Sequence, residues 1–196
     1  MTDDGPLTKE AILLATEDVL RKYGPSKATV VDVARALGVS HGSVYRHFPS
    51  KLALREAVTE RWLERAHAGL AELIDADGPA ADRLAQWIRT LAAAKKRKAL
   101  DDPELFHNYS ALVQEQNAAV VEEHLADLIA QLEALVLAGI RDGGFVELDA
   151  KSAAQAIFYA TIAFHSPTFA DRWSRPEISD ELEAVISLIL HGLKAR

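Results

Sequence analysis

Residues Thr29–Leu52 read TVVDVARALGVSHGSVYRHFPSKL. Val30, Val33, Ala34 and Leu37 fall at i, i+3, i+4 and i+7, so the first half presents one apolar face at helical spacing. Thr29 stands where an N-cap belongs. Gly38 suits the left-handed conformation that stops a helix, and Ser40 can cap the segment that follows. In that segment Val44 and Phe48 share a face and are expected to pack inward. His41, Ser43, Tyr45, Arg46 and His47 are left facing out. Two short amphipathic segments around a tight Gly-Val-Ser turn look like a helix-turn-helix. A helix whose outer face carries hydrogen-bonding and cationic side chains suits groove and phosphate contact.

The rest of the chain reads as helices punctuated by Gly, Pro and Asp. The first, about 8–23, carries Ile12, Thr16, Val19, Leu20 and Tyr23 on one face and stops at Gly24-Pro25. The helix-turn-helix supplies the second and third. Pro49-Ser50 opens a long fourth, to about Ile74, with Leu54, Val58, Trp62, Ala66, Leu70 and Leu73 on one stripe. A fifth runs from about Pro79 to Ala99. Asp102-Pro103-Glu104 starts a sixth, with Pro suited to the first turn. A seventh, about 118–141, ends at Gly143-Gly144. Asp149 caps an eighth, expected to reach about His165, and a ninth spans about 179–194. Phe145–Leu148 is the one strand-like run and is too short to found a sheet. The fold class is all-α, with about nine helices. Residues 1–50 form the helix-turn-helix domain and 51–196 a helical body, with the fourth helix as connector.

The 196 residues include no cysteine, which removes disulfides and thiolate sites and fits the cytoplasm. No signal peptide and no membrane-length apolar run is evident. The net charge of -7 argues at first against nucleic acid, but its distribution reverses that. Residues 21–55 hold Arg21, Lys22, Lys27, Arg35, Arg46, Lys51 and Arg55 against Asp32 alone, a local +6 that leaves −13 elsewhere. A basic face on an acidic body is the footprint of a DNA-binding head.

The helix-turn-helix segment resembles the N-terminal domain of the TetR family of transcriptional regulators. That pattern runs T-x-x-x-x-A-x-x-x-G-V-S-x-x-x-x-Y-x-H-F-x-x-K-x-x-L. It is met by Thr29, Ala34, Gly38, Val39, Ser40, Tyr45, His47, Phe48, Lys51 and Leu54. The match covers about a quarter of the chain; the remainder is similar only in length and helical character. Val31 departs from it, since the family often has Arg or a polar residue there. The resemblance implies a repressor that leaves a double-stranded, near-palindromic operator when a small-molecule effector binds. By position, His41, Ser43 and His47 would face base edges or nearby phosphates. Tyr45 and Lys51 would anchor phosphates, and Thr29 would offer a hydroxyl or backbone contact. Ser40 is a helix cap, a phosphate contact or both. Arg46 either reads guanine or lies on the solvated face.

The resemblance also implies an effector pocket among the middle helices. Its candidate lining is Trp87, Phe106, Tyr109, Asn117, His124, Phe158, Thr161 and His165, apolar walls with a few polar groups. Plain core packing is the alternative for each residue singly. The segment from Phe164 to Trp173 could close one end. Ala153, Ala156, Ala160 and Ala163 on the eighth helix, and Leu182, Val185, Ile186, Ile189, Leu190 and Leu193 on the ninth, fit either a monomer core or a dimer seam. The family pairs these two helices as a homodimer. Lys95-Lys96-Arg97-Lys98 reads as a solvated helix end, where cations suit the helix dipole, with a second nucleic-acid patch as the alternative. His124 lies on the apolar stripe of the seventh helix, and His107 falls opposite that of the sixth. No histidines are spaced as in H-E-x-x-H, so no metal or cofactor is expected. Two rival readings stay open: an all-helical enzyme, for which the scattered histidines are the sole basis, and an interaction module that has lost DNA binding, hinted at by Val31 and Gly42.

Overall fold

The computed structural model describes residues 7–27, 29–67, 69–115 and 119–195. Over these residues the fold is all-α, as expected. The helices are α1 (Lys9–Lys27), α2 (Val30–Ala36), α3 (His41–Tyr45), α4 (Lys51–His67), α5 (Ala80–Asp101), α6 (Pro103–Glu115), α7 (Ala119–Arg141), α8 (Ala150–Ala160) and α9 (Ile178–Leu193). Short 3-10 turns lie at Ala71–Leu73, Ile162–Phe164 and Pro167–Arg172. Packing divides the chain into two compact units, Met1–Leu63 with Asp101–Val121, and Glu64–Leu100 with Glu122–Arg196.

In the first unit, α1 packs on α2 and α6, and α2 on α3. Ile12, Leu20, Val33, Val44, Val58 and Leu112 are sealed from solvent. Regular helix in α1 ends at Gly24, whose φ of 71° breaks it before a last turn to Lys27. Polar ties join the same elements. The Arg21 guanidinium bridges Glu17 at 3.1 Å and Asp102 at 3.0 Å. The Asn108 amide donates to Thr59 Oγ1 at 2.9 Å, and its oxygen accepts from Arg55 Nε at 2.9 Å. Thus α6 is bonded to α4, and the residue before it, Asp102, to α1, within the unit that holds the helix-turn-helix.

The second unit is built on stripes at helical spacing: Leu84, Ile88 and Leu91 of α5, and Leu128, Leu132 and Leu135 of α7. These meet Ala154, Ile157 and Phe158 of α8 and Ile186 of α9 in one apolar cluster. The Trp87 indole N–H, which burial alone would leave unsatisfied, donates to Gln131 Oε1 at 2.9 Å. After α7, the chain turns at Gly143, at φ 73°. Phe145 then folds back over Gly139, where a Cβ would lie 2.1 Å from the Phe145 ring. The strand-like run yields one antiparallel bridge, Phe145 to Lys194. Val146 N–H donates to Leu193 O at 2.9 Å, which clips the end of α9 to this loop.

Three sequence expectations change. The fourth helix ends at His67 rather than near Ile74, and the chain resumes as a 3-10 turn after Gly69. The eighth ends at Ala160 rather than near His165. Thr161 takes φ −100° and ψ 2°, outside the helical range, and its hydroxyl donates at 2.9 Å to Ile157 O, which also accepts the Thr161 N–H at 3.1 Å, so the side chain competes for that helical carbonyl where the helix stops. The basic run is not wholly a solvated helix end. Lys96 and Arg97 are exposed, but Lys95 is only 2% accessible. Lys95 continues the stripe of Leu84, Ile88 and Leu91, so its register carries it inward whatever its charge.

Candidate nucleic-acid interface and interior polar cluster

Thr29 and Asp32 close the start of α2 reciprocally. Asp32 N–H donates to Thr29 Oγ1 at 3.2 Å, and Thr29 N–H to Asp32 Oδ2 at 3.2 Å. The Thr29 hydroxyl donates to the same oxygen at 2.5 Å. These bonds, led by the Thr29 hydroxyl, hold the Asp32 carboxyl below its ordinary range. Gly38 has φ 68°, the left-handed conformation expected of it. Ser40 then caps α3 by accepting from Ser43 N–H at 3.2 Å. Val44 and Phe48 are buried beneath α3.

The outer face of α3 is organised rather than merely solvated. His41, Tyr45 and Arg46 are exposed, and Ser43 and His47 half-buried. Arg46 Nη2 donates to Ser43 Oγ at 3.2 Å, and Ser43 Oγ lies 2.9 Å from Ser40 Oγ. The His41 and Tyr45 rings meet edge to face at 6.5 Å. Lys51 is exposed at the start of α4, which Ser50 caps by accepting from Ala53 N–H at 3.0 Å. Val31 is 49% exposed, so its departure from the family pattern lies on the surface. Several of the cations in residues 21–55 have partners inside the unit. Arg21 is committed to acids and Arg55 to Asn108, and Arg35 meets Asp32 at 3.0 Å. Lys22 lies 5.2 Å over the Tyr23 ring. Arg46 and Lys51 are exposed beside α3, and the Lys27 side chain lies outside the described residues.

The expected effector residues fall into separate groups. Phe106 and Tyr109 stack with Trp62 in the first unit, at 6.3 and 5.8 Å, and burial pushes the Tyr109 phenol upward. Asn117 lies outside the described residues. In the second unit Phe158, Thr161 and His165 come together: the Phe158 and His165 rings are 4.7 Å apart, and His165 Nε2 lies 3.3 Å from both Thr161 Oγ1 and Phe158 O. His124, half-buried, meets Lys95 Nζ at 3.2 Å through Nε2. Burial lowers the Lys95 amine to about 7. Burial first, and the Lys95 charge second, lower His165 to about 4. Sequence reasoning missed Lys95, although its i, i+4 relation to Leu91 was a usable signal. Phe164 and Trp173, the two ends of the segment expected to close a pocket, line a separate hollow of about 250 Å³ with Ala92, Ile178 and Leu182, edged by the Arg89–Glu183 ion pair. None of the expected effector residues lines that hollow.

A capped helix-turn-helix with a polar, cationic outer face defines the first unit as a DNA-binding module in form. Residues 12–58 match the family of bacterial regulatory proteins of the tetR type, and residues 80–186 match the tetracyclin repressor-like C-terminal domain. The chain belongs to the TetR family. It is 28% identical over 162 residues to the HTH-type transcriptional regulator TtgR of Pseudomonas putida, covering 77% of this chain and 75% of that one. It is 39% identical over 54 residues to the HTH-type transcriptional repressor BepR of Brucella suis biovar 1, covering 28% of this chain and 26% of that one. That second match therefore spans only about a quarter of the relative's length. A TetR-family regulator of Mesorhizobium loti superposes with a TM-score of 0.72 at 18% identity, covering 95% of this chain and 96% of that one. At that identity the likeness shows the fold.

Proposed function

We propose that this protein is a transcriptional repressor that binds a near-palindromic DNA operator as a homodimer and leaves it when a small molecule binds the body. The observation that carries the reading is the doubly capped α2–turn–α3 unit, whose outer face presents His41, Ser43, Tyr45, Arg46 and His47. Thr29, Ser40 and Lys51 flank them as phosphate or backbone contacts. Residues 1–50 are the reading head and 51–196 the effector and dimer body. The protein works as a regulator rather than an enzyme, in the cytoplasm where the DNA is. No helix among the described residues is long and apolar enough to cross a membrane.

The dimer reading is supported by an apolar face of α8 and α9. Ala153, Ala156, Ala160, Leu188, Ile189 and Gly192 line an open groove of about 250 Å³ there. Tyr159 and Leu188 stand 62% and 74% exposed beside it. Exposed apolar surface of this kind marks an interaction site. The effector lining is drawn from the second unit, from Trp87, His124, Phe158, Thr161 and His165. Coupling would run through α4 and α6, because Asn108 ties α6 to Arg55 and Thr59 of α4. The experiment is a titration of the purified protein against its own upstream DNA and random-sequence DNA, with and without screened metabolites. Nanomolar binding to one site, weakened by a stabilising ligand, is expected. Equal affinity for both DNAs, or stabilising ligands that leave operator affinity unchanged, would sink the reading.

A further inference from the structure

A lysine and two histidines from three different elements converge in the interior of the second unit. Lys95 comes from α5, His124 from α7, and His165 from the turn after α8. Lys95 is 2% and His165 4% accessible, while His124 is half-buried and connects the group to the surface. Leu91 precedes Lys95 by one helical turn and Leu128 follows His124 by one, both buried. His165 lies against the Phe158 ring. A core that needed only to fill this volume would do so with Leu or Met, because a buried amine costs free energy that an apolar chain of equal length does not.

Resting on the effector reading above, we propose that the effector is a small carboxylic acid with an apolar remainder, whose carboxylate is received by Lys95 Nζ and His124 Nε2. The two nitrogens are 3.2 Å apart, close enough for both to donate to one carboxylate. His165 holds its place by bonding back to Phe158 O and Thr161 and stays neutral, so it does not compete for the carboxylate. Burial leaves the amine poised near 7, so an arriving carboxylate draws a proton onto Lys95 and gains a charge-assisted bond inside an apolar surround. A neutral ligand of the same shape gains neither.

The test compares benzoate, phenylacetate and octanoate with their amides, by calorimetry and thermal shift on the full chain. The acids should bind about tenfold or more tightly than the matched amides, the margin expected of one charge-assisted hydrogen bond. Lys95→Met should abolish the preference while leaving amide affinity within about twofold, since the variant removes the charge and keeps the volume. Equal binding of acid and amide by the unaltered protein would overturn the assignment, and that comparison does not depend on any variant folding. Absence of binding by all three acids, or a preserved preference in Lys95→Met, would overturn it too. Operator affinity is measured in parallel. A neutral molecule that releases the operator would defeat this inference and leave the repressor reading standing. Acids that bind at Lys95 without moving operator affinity would leave the carboxylate site standing and defeat its role as the effector site.

Discussion

At the start of α2, Thr29 and Asp32 satisfy backbone N–H groups that the helix itself cannot. Thr29→Ala removes the hydroxyl from two of the three bonds there and is expected to cost about 0.5–2 kcal/mol, read as a lower denaturation midpoint with unchanged urea dependence. A loss confined to operator binding, with stability intact, would mean that Thr29 serves DNA and not the helix. Lys95 offers a pH test. Unfolded, it titrates at the ordinary lysine value; folded, burial brings it to about 7. Between those values the unfolded chain binds the extra proton, so stability rises with pH, with a slope of at most about 1.4 kcal/mol per unit. Below about 7 both states are protonated and the whole penalty is carried. Lys95→Met should therefore be more stable than the parent at pH 7, and the difference should shrink toward pH 10. Urea titrations at several pH values check this; a difference that does not vary with pH would place the amine in water.

At the scale of elements, the α7–α8 turn and the α8–α9 face carry the strongest expectations. Phe145 occupies the space where Gly139 would otherwise carry a Cβ. Gly139→Ala must displace that ring and should cost about 1–3 kcal/mol through overpacking. Combining it with Phe145→Leu should recover part of the loss, a coupling measurable by a double-mutant cycle. On α9 the choice of position decides what is tested. Ile186 is 2% exposed within its own chain, so a carboxylate there would unfold the unit rather than open a dimer. Leu188, 74% exposed, is the proper probe. Leu188→Asp should give a folded monomer by circular dichroism and sedimentation. If it still sediments as a dimer, the seam lies elsewhere.

At the scale of the molecule, a chain of net charge -7 must still approach DNA, so the few cations near α3 carry that attraction. Lys51→Ala should weaken binding to every sequence alike and reduce the salt dependence by about one ion. An unchanged slope would remove Lys51 from the phosphate contacts. The caps, the left-handed Gly38, the buried Val44 and Phe48 and the outward face of α3 were all legible in residues 29–52. Each depends on neighbours within about one helical turn, and local sequence specifies such neighbours directly. So were the all-α class and most helix limits, which follow from period and from Gly and Pro. Tertiary structure alone decided that Arg21 and Arg55 turn to Asp102 and Asn108, and that Phe106 and Tyr109 join Trp62 while His124 meets Lys95. A charge run counts cations without saying which way they point. Burial of a lysine depends on the stripe it shares and on what packs over it, and those partners lie 29 residues away at His124 and further at His165.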